Sequence, residues 1–296
     1  MTVMTQHGEI TFPAFMPVTT FGDKYPLDRL VRPYLRRLSP CLMVSYHYAL
    51  KMQERPNMPL FIDSGGFASL FDGAEIIEQG EYGCIKTRDG ETITPDDVLT
   101  LQEEQADIGA TLDFIITPGM DLSEARRRQE MTIRNARYAL KRHSRDMMLF
   151  ASLQCWDAAS ATRCAETYAK AGFQGIAIGG MVPRLKNPAY IEAIVRAVRG
   201  AAPHCLIHVF GIGSEKLIPT LIRAGADSFD SSSYVRSAVD AQAKGTGIHT
   251  GIYAAVKNLY EINGAVTGSK GSITRDYPNY SLYFQRETDQ NTRGQK

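Results

Sequence analysis

The sequence has no apolar run long enough to cross a bilayer, no CxxC pair of cysteines and no large excess of either charge. The first absence excludes a helical membrane span, which needs ~20 consecutive apolar residues. The second excludes the usual structural zinc spacing and a disulfide framework. The five cysteines, Cys41, Cys84, Cys155, Cys164 and Cys205, are odd in number and widely spaced. Reduced thiols in a cytoplasmic protein are expected, and the polar start Met1–Thr11 does not read as a signal peptide. The third absence, a formal net charge of +1, excludes binding to polyanions through overall charge, but not through a local basic patch. Arginines do cluster, at Arg29, Arg32, Arg36 and Arg37 and again from Arg126 to Arg145. The plain reading of such runs is a solvated helix face.

What is present suits a soluble globular protein. Hydrophobic residues make up 44% of the 296 positions and charged residues 22%, enough to build a core without a metal or staple. Short apolar runs alternate with longer amphipathic stretches. The runs are Ala14–Thr19, Cys41–Tyr46, Leu60–Asp63, Thr111–Ile116, Met148–Gln154, Gly175–Gly179, Cys205–Gly211 and Asp227–Ser231. They lack polar alternation, as strands buried on both faces do. Thr94-Pro95-Asp96-Asp97 reads as a helix start running to about Ile108, and Asp121–Ser123 as the cap of a helix through Arg142. Helices over 158–170, 187–198 and 214–223 follow, with Gly172, Gly200 and Gly225 as stops. Eight strand–helix units predict an α/β fold, a single-domain (β/α)₈ TIM barrel over residues 1–264. Residues 265–296 read as a C-terminal extension whose end, from Glu287, is expected to be disordered.

Barrel enzymes carry their chemistry at the C-terminal ends of the strands. Those ends hold Asp63-Ser64-Gly65-Gly66-Phe67, Asp113, Gln154, Gly179-Gly180, Phe210-Gly211 and Phe229-Asp230-Ser231. The glycine pairs let backbone approach a flat ligand. Phe67 and Phe210 are suited to sandwich an aromatic base, and Asp113 and Gln154 to read its polar edge. Two separate carboxylates, Asp63 and Asp230, suit glycosidic chemistry, in which one attacks and the other moves protons. Each residue alone has a plainer reading. An Asp at a strand end caps helices, a Phe fills core, and His47 and His208 read as structural histidines.

Together these residues resemble the tRNA-guanine transglycosylase superfamily. His7-Gly8 through Phe15-Met16-Pro17-Val18, Ser45-Tyr46-His47 and above all Asp63-Ser64-Gly65-Gly66-Phe67 follow its motifs. Thr94-Pro95, Gln102, Leu112-Asp113, Gln154, Ile178-Gly179-Gly180, Phe210-Gly211-Ile212-Gly213 and Phe229-Asp230 continue in family order, so the resemblance covers about residues 5–240. It implies a pentosyltransferase that exchanges guanine in a nucleic acid for a 7-deazaguanine base. Asp230 is then the nucleophile and Asp63 the general acid/base. Ser64, Phe67, Asp113, Gln154, Gly179, Gly180 and Phe210 bind the base, and Arg236 contacts a phosphate.

The departures shape the expected substrate. Ala68, Ser45, Phe114, Ser231 and Tyr234-Val235-Arg236 stand where the family carries other residues, and no cysteine follows Cys205. The family's C-terminal zinc subdomain, which helps hold tRNA, therefore has no donor set here, and neither zinc nor a cofactor is expected. The resemblance then points to a DNA-modifying, DpdA-type member inserting 7-cyano-7-deazaguanine or a close derivative. DNA is favoured over tRNA as partner; accessory DNA-modification proteins and a homodimer are compatible with this, and no membrane is involved. A divergent enzyme acting on tRNA and a non-catalytic binding subunit are the alternatives.

Overall fold

The computed structural model describes residues 1–144, 146–244 and 248–268. Eight parallel strands form its centre: β1 (Ala14–Pro17), β2 (Leu42–Val44), β3 (Leu60–Ile62), β4 (Ile108–Ala110), β5 (Met148–Leu153), β6 (Gly175–Ile178), β7 (Leu206–Val209) and β8 (Ser228–Ser231). They pair in the order β1-β8-β7-β6-β5-β4-β3-β2. A parallel bridge between Val18 and Met43 joins β1 to β2 and closes the ring. This is the (β/α)₈ barrel that the alternating pattern predicts. Its strands are buried along nearly their whole length, which is why their sequences show no polar alternation.

The helices are α1 (Pro26–Leu38), a single turn α2 (Tyr46–Ala49), α3 (Pro95–Gln105), α4 (Leu122–Arg142), α5 (Ala158–Ala171), α6 (Pro188–Ala201), α7 (Ile218–Ala224), α8 (Ser233–Lys244) and α9 (Ile248–Thr267). Their starts follow capping chemistry. Thr94 Oγ1 accepts from Asp97 N at 3.1 Å while Asp97 Oδ2 accepts from Thr94 N at 2.9 Å, a reciprocal box. Asp121 Oδ1 accepts from Ser123 N at 2.8 Å. Helices α5 and α7 stop at Gly172 and Gly225, both at positive φ. Gly200 does not stop α6, which runs on to Ala201. The expected helix from Ser214 begins as a turn and becomes helical only at Ile218.

One strand lies three residues earlier than expected. The ladder of β4 starts where Asp107 N donates to Leu60 O and Asp107 Oδ2 accepts from Leu60 N, both at 2.9 Å. Only Thr111 N of the predicted run still bonds a strand, to Phe150 O. The rest is buried without being β-structure, because side chains of other elements satisfy its backbone. Asn135 Nδ2 donates to Leu112 O, Phe114 N donates to Thr132 Oγ1, and Ile116 N donates to Gln154 Oε1. The sequence reading also passes over an antiparallel ribbon, Glu75–Gln79, Tyr82–Lys86 and Thr92–Ile93, which lies against α4. The expected domain edge at residue 264 falls inside α9, and residues 269–296 lie outside the described ones. Among the described residues no helix is long and apolar enough to cross a membrane.

Candidate active site

Two groups of polar side chains face each other across the C-terminal mouth. The first sits beyond β3, β4 and β5. Ser64 Oγ donates to Asp113 Oδ1 and Gln154 Nε2 to Asp113 Oδ2, both at 2.5 Å. All three are buried. The glycines explain how they fit. A Cβ at Gly66 would collide with the Asp113 carboxylate, and one at Gly179 with the Gln154 amide. Gly180 has φ +72°, a conformation that glycine adopts without strain. Burial raises the Asp113 carboxyl above its usual range against the opposing pull of Ser64 and Gln154.

The second group belongs to β7 and β8. Asp230 Oδ1 accepts from His208 Nε2 at 3.1 Å and from Gly211 N at 2.8 Å. A carboxylate only accepts, so the His208 proton toward Asp230 must sit on Nε2. In the neutral ring Nδ1 then accepts from Ser228 Oγ, 2.9 Å away. Both donors bind the same oxygen, which leaves Asp230 Oδ2 free of hydrogen bonds among the described residues. His208 is fully buried, wedged edge-on against Phe210 with ring centroids 4.8 Å apart. It is a structural histidine, as its apolar flanks suggest, but its structural task is to hold a candidate nucleophile. Nothing in the sequence marks that except the spacing His208–Asp230 across two adjacent strands.

Asp63 lies between the groups. Its Oδ1 accepts from Tyr46 N and Gly65 N, each at 2.9 Å. Burial pushes its carboxyl from 3.8 to about 7, the two backbone donors oppose this, and the charges of Asp230 and Asp113 add to it. A carboxyl so placed gives and takes a proton near neutrality, as acid–base catalysis requires. Gln102 holds the site from below: its buried Nε2 donates to Ile62 O, Asp63 O and Ala110 O, tying β3 to β4 where Asp63 emerges.

The other expected residues are placed less tightly. Phe67 stands on the lip, 61% exposed and edge-on to Phe71, while Phe210 is half-buried on the opposite side. Arg236 is exposed in the first turn of α8. Arg184, which the sequence reading does not single out, is buried beside Gly180 and donates from Nη1 to Ile116 O at 2.8 Å and Gly180 O at 2.6 Å. All five cysteines are buried and free, and among the described residues no cluster of three His, Cys, Asp or Glu could hold a metal.

A family model described as queuine tRNA-ribosyltransferase matches residues 1–246. The tRNA-guanine(15) transglycosylase of Methanothermobacter thermautotrophicus is 27% identical over 294 residues, which cover 97% of this chain and 42% of the relative. That of Methanosphaera stadtmanae is 28% identical over 243 residues, 78% of this chain and 34% of the relative. The queuine tRNA-ribosyltransferase of Halothermothrix orenii is 29% identical over 249 residues, 76% of this chain and 65% of the relative. The chain therefore spans less than half the length of the first two relatives and just under two thirds of the third.

Proposed function

The chain belongs to the queuine tRNA-ribosyltransferase family, and from that premise we propose that it exchanges guanine in a nucleic acid for a 7-deazaguanine base. The observation that carries the reading is the unequal treatment of two carboxylates at one mouth. Asp230 is held through one oxygen by His208 and Gly211 with the other left open. Asp63 is partly buried, and desolvation pushes its carboxyl up to about 7.

In this reading Asp230 Oδ2 attacks the sugar C1′. The bond from C1′ to guanine breaks, its electron pair leaves with the base, and an aspartyl-glycosyl ester remains. Asp63 in its acid form protonates the departing ring nitrogen. The incoming base then gives its ring N–H proton to the Asp63 carboxylate and attacks C1′, and the ester C–O bond breaks to restore the Asp230 carboxylate. Two displacements at one carbon retain its configuration. Asp113, Gln154, Ser64 and the backbone of Gly179 and Gly180 read the base, Phe67 and Phe210 cover its faces, and Arg236 meets a phosphate. No step calls for a metal or cofactor.

The polymer we place first is DNA, with 7-cyano-7-deazaguanine or a close derivative as incoming base. Support comes from the residues that match the family's catalytic motifs standing in 296 residues that hold no zinc-ligand spacing of cysteines. A target in DNA would be taken out of the stack, at least cost where the strand is already unpaired. The second reading is tRNA, favoured by the names of the relatives. Incubation with labelled guanine and either polymer separates them: label entering only tRNA overturns the DNA reading. A covalent adduct on a denaturing gel with nucleic acid and a 7-deazaguanine is expected from the wild type and not from Asp230→Asn. Exchange that survives that substitution would falsify the assignment of the nucleophile, whereas neither exchange nor adduct from the wild type would leave a non-catalytic binding role for this mouth.

A further inference from the structure

Behind the base-reading residues lies a cavity of about 430 Å³ that the exchange chemistry does not use. It is walled by the segment after β4 (Ile116–Met120), by Trp156 after β5, by Pro183, Arg184, Lys186 and Asn187 between β6 and α6, and by Tyr190 in the first turn of α6. In an eight-stranded ring β4 stands opposite β8, where Asp230 meets the sugar. A base whose sugar lies at Asp230 and whose edge reaches Asp113 and Gln154 therefore points at this cavity. The Arg184 guanidinium stands at the junction, bonding the carbonyl of Gly180 on the base side and that of Ile116 on the cavity wall.

The charge in this cavity is unbalanced. Arg184 is 8% exposed and has no carboxylate within ion-pair distance among the described residues. Its bonds run through Nη1 alone, to two neutral carbonyls, leaving Nε and Nη2 without a hydrogen bond there. Lys186 adds a second cation, and no Asp or Glu lines the wall. The Tyr190 ring centroid lies 5.3 Å from the Arg184 guanidinium carbon, and its buried hydroxyl stands beside Cys155. Burial, with Cys155 beside it, pushes its ionisation up to about 12, so it remains an O–H donor. Two cations facing one space want acceptors, because a buried guanidinium without an anion is costly.

We propose that this cavity is a second recognition subsite, which receives a hydrogen-bond-accepting or anionic substituent carried by the incoming base on its side away from the sugar. Arg184 is its specificity-determining residue. A carboxylate fits best, a nitrile next, and a cationic aminomethyl group is rejected. The inference rests on the base-exchange reading above and adds to it the chemistry of the substituent.

Trp156 is the only tryptophan in the chain and stands in the cavity wall, so its fluorescence reports occupancy. The test titrates wild-type protein with 7-deazaguanine unsubstituted at position 7 and with its carboxylate, nitrile and aminomethyl derivatives. We expect the carboxylate derivative to bind roughly tenfold or more tightly than the aminomethyl one, a preference that shrinks as salt rises. Arg184→Met and, separately, Lys186→Gln should each reduce that ratio, with Arg184→Met the larger. Dividing each affinity by that of the unsubstituted base within the same variant removes any general loss of folding. A ratio of one or below in the wild type overturns the subsite, as does an undiminished ratio in Arg184→Met. If the unsubstituted base binds but no substituent matters, only this inference falls. If no base binds, the base-exchange reading falls with it.

Discussion

Asp63 shows how much a fold adds to a single side chain. Its motif is visible in the sequence, but its acidity is not, because burial and the neighbouring carboxylates arise only when distant strands meet. The carboxyl titrates at about 7 in the folded protein against 3.8 for an ordinary aspartate. The folded state thus holds the proton more tightly, and this group's favourable contribution to stability is lost as pH rises from about 4 through about 7. Asp63→Asn removes the charge while keeping an oxygen for the Tyr46 and Gly65 amides. The variant should exceed the wild type in stability at about pH 8 by ~1–4 kcal/mol and lose that advantage near pH 4. Urea unfolding at the two pH values checks this; an equal difference at both would mean that the carboxyl is not raised. In the proposed reaction, guanine release should fall and base incorporation rise as pH passes about 7, because one step needs the acid and the other the base. Single-turnover rates of the two half-reactions read this directly.

In that proposed reaction His208 acts as a positioning residue, invisible in sequence because its contact with Asp230 depends on register between β7 and β8. Removing a hydrogen bond to a charged group costs ~1.5–3 kcal/mol, so His208→Leu should lower kcat by roughly 10- to 100-fold. The KM for the incoming base should hardly move, and His208→Gln should recover part of the rate. A matching loss in KM, with no recovery by Gln, would mean that the ring only fills space.

Among elements, the strand ends and caps were the most legible, since local chemistry decides them. Thr94, Asp121, Gly172 and Gly225 all act where their residue types suggest. The apolar run after β4 was misread as a strand because apolarity reports burial, not pairing; its backbone is bonded by Asn135, Thr132 and Gln154 instead. The glycines between elements give a sharper prediction. Gly179→Ala places a methyl on the Gln154 amide and near Asp113, and overpacking of this sort costs ~1–3 kcal/mol. Base affinity should fall with it, by roughly tenfold or more, since the group proposed to read the base must move. Asp121→Ala, remote from the mouth, should cost ~1 kcal/mol of stability and leave exchange unchanged. Thermal unfolding beside exchange rates distinguishes the two variants.

At the scale of the whole molecule, the barrel was readable from alternation alone, but the charge pattern was not. The arginines of α4 are largely paired. Arg134 meets Glu78 at 2.9 Å, Arg128 meets Glu124 at 2.8 Å, and Arg127 meets Glu124 at 3.2 Å. Glu78 comes from the ribbon, which the sequence did not forecast, so the run looked more basic than it is. Arg127→Gln with Arg134→Gln should therefore leave the salt dependence of nucleic-acid binding unchanged. Arg236→Gln should reduce the slope of log affinity against log salt by about 0.7–0.9, one phosphate contact. A changed slope in the α4 double variant would restore that helix as a nucleic-acid surface.

The seam between β1 and β2 also has a meaning in time. Strand β1 takes its other partner from β8, and Asn263 of α9 donates to Leu38 O at the end of α1. Residues made first are thus completed by residues made more than two hundred positions later. A nascent chain can assemble β2 through β7 as it emerges, but its first strand must wait, unpaired on one edge, until the eighth strand and the helix beyond it leave the ribosome. The candidate active-site mouth is shared across that same gap, with Asp63 on the early side and Asp230 on the late one. The two carboxylates therefore come to face one mouth only when the ring shuts.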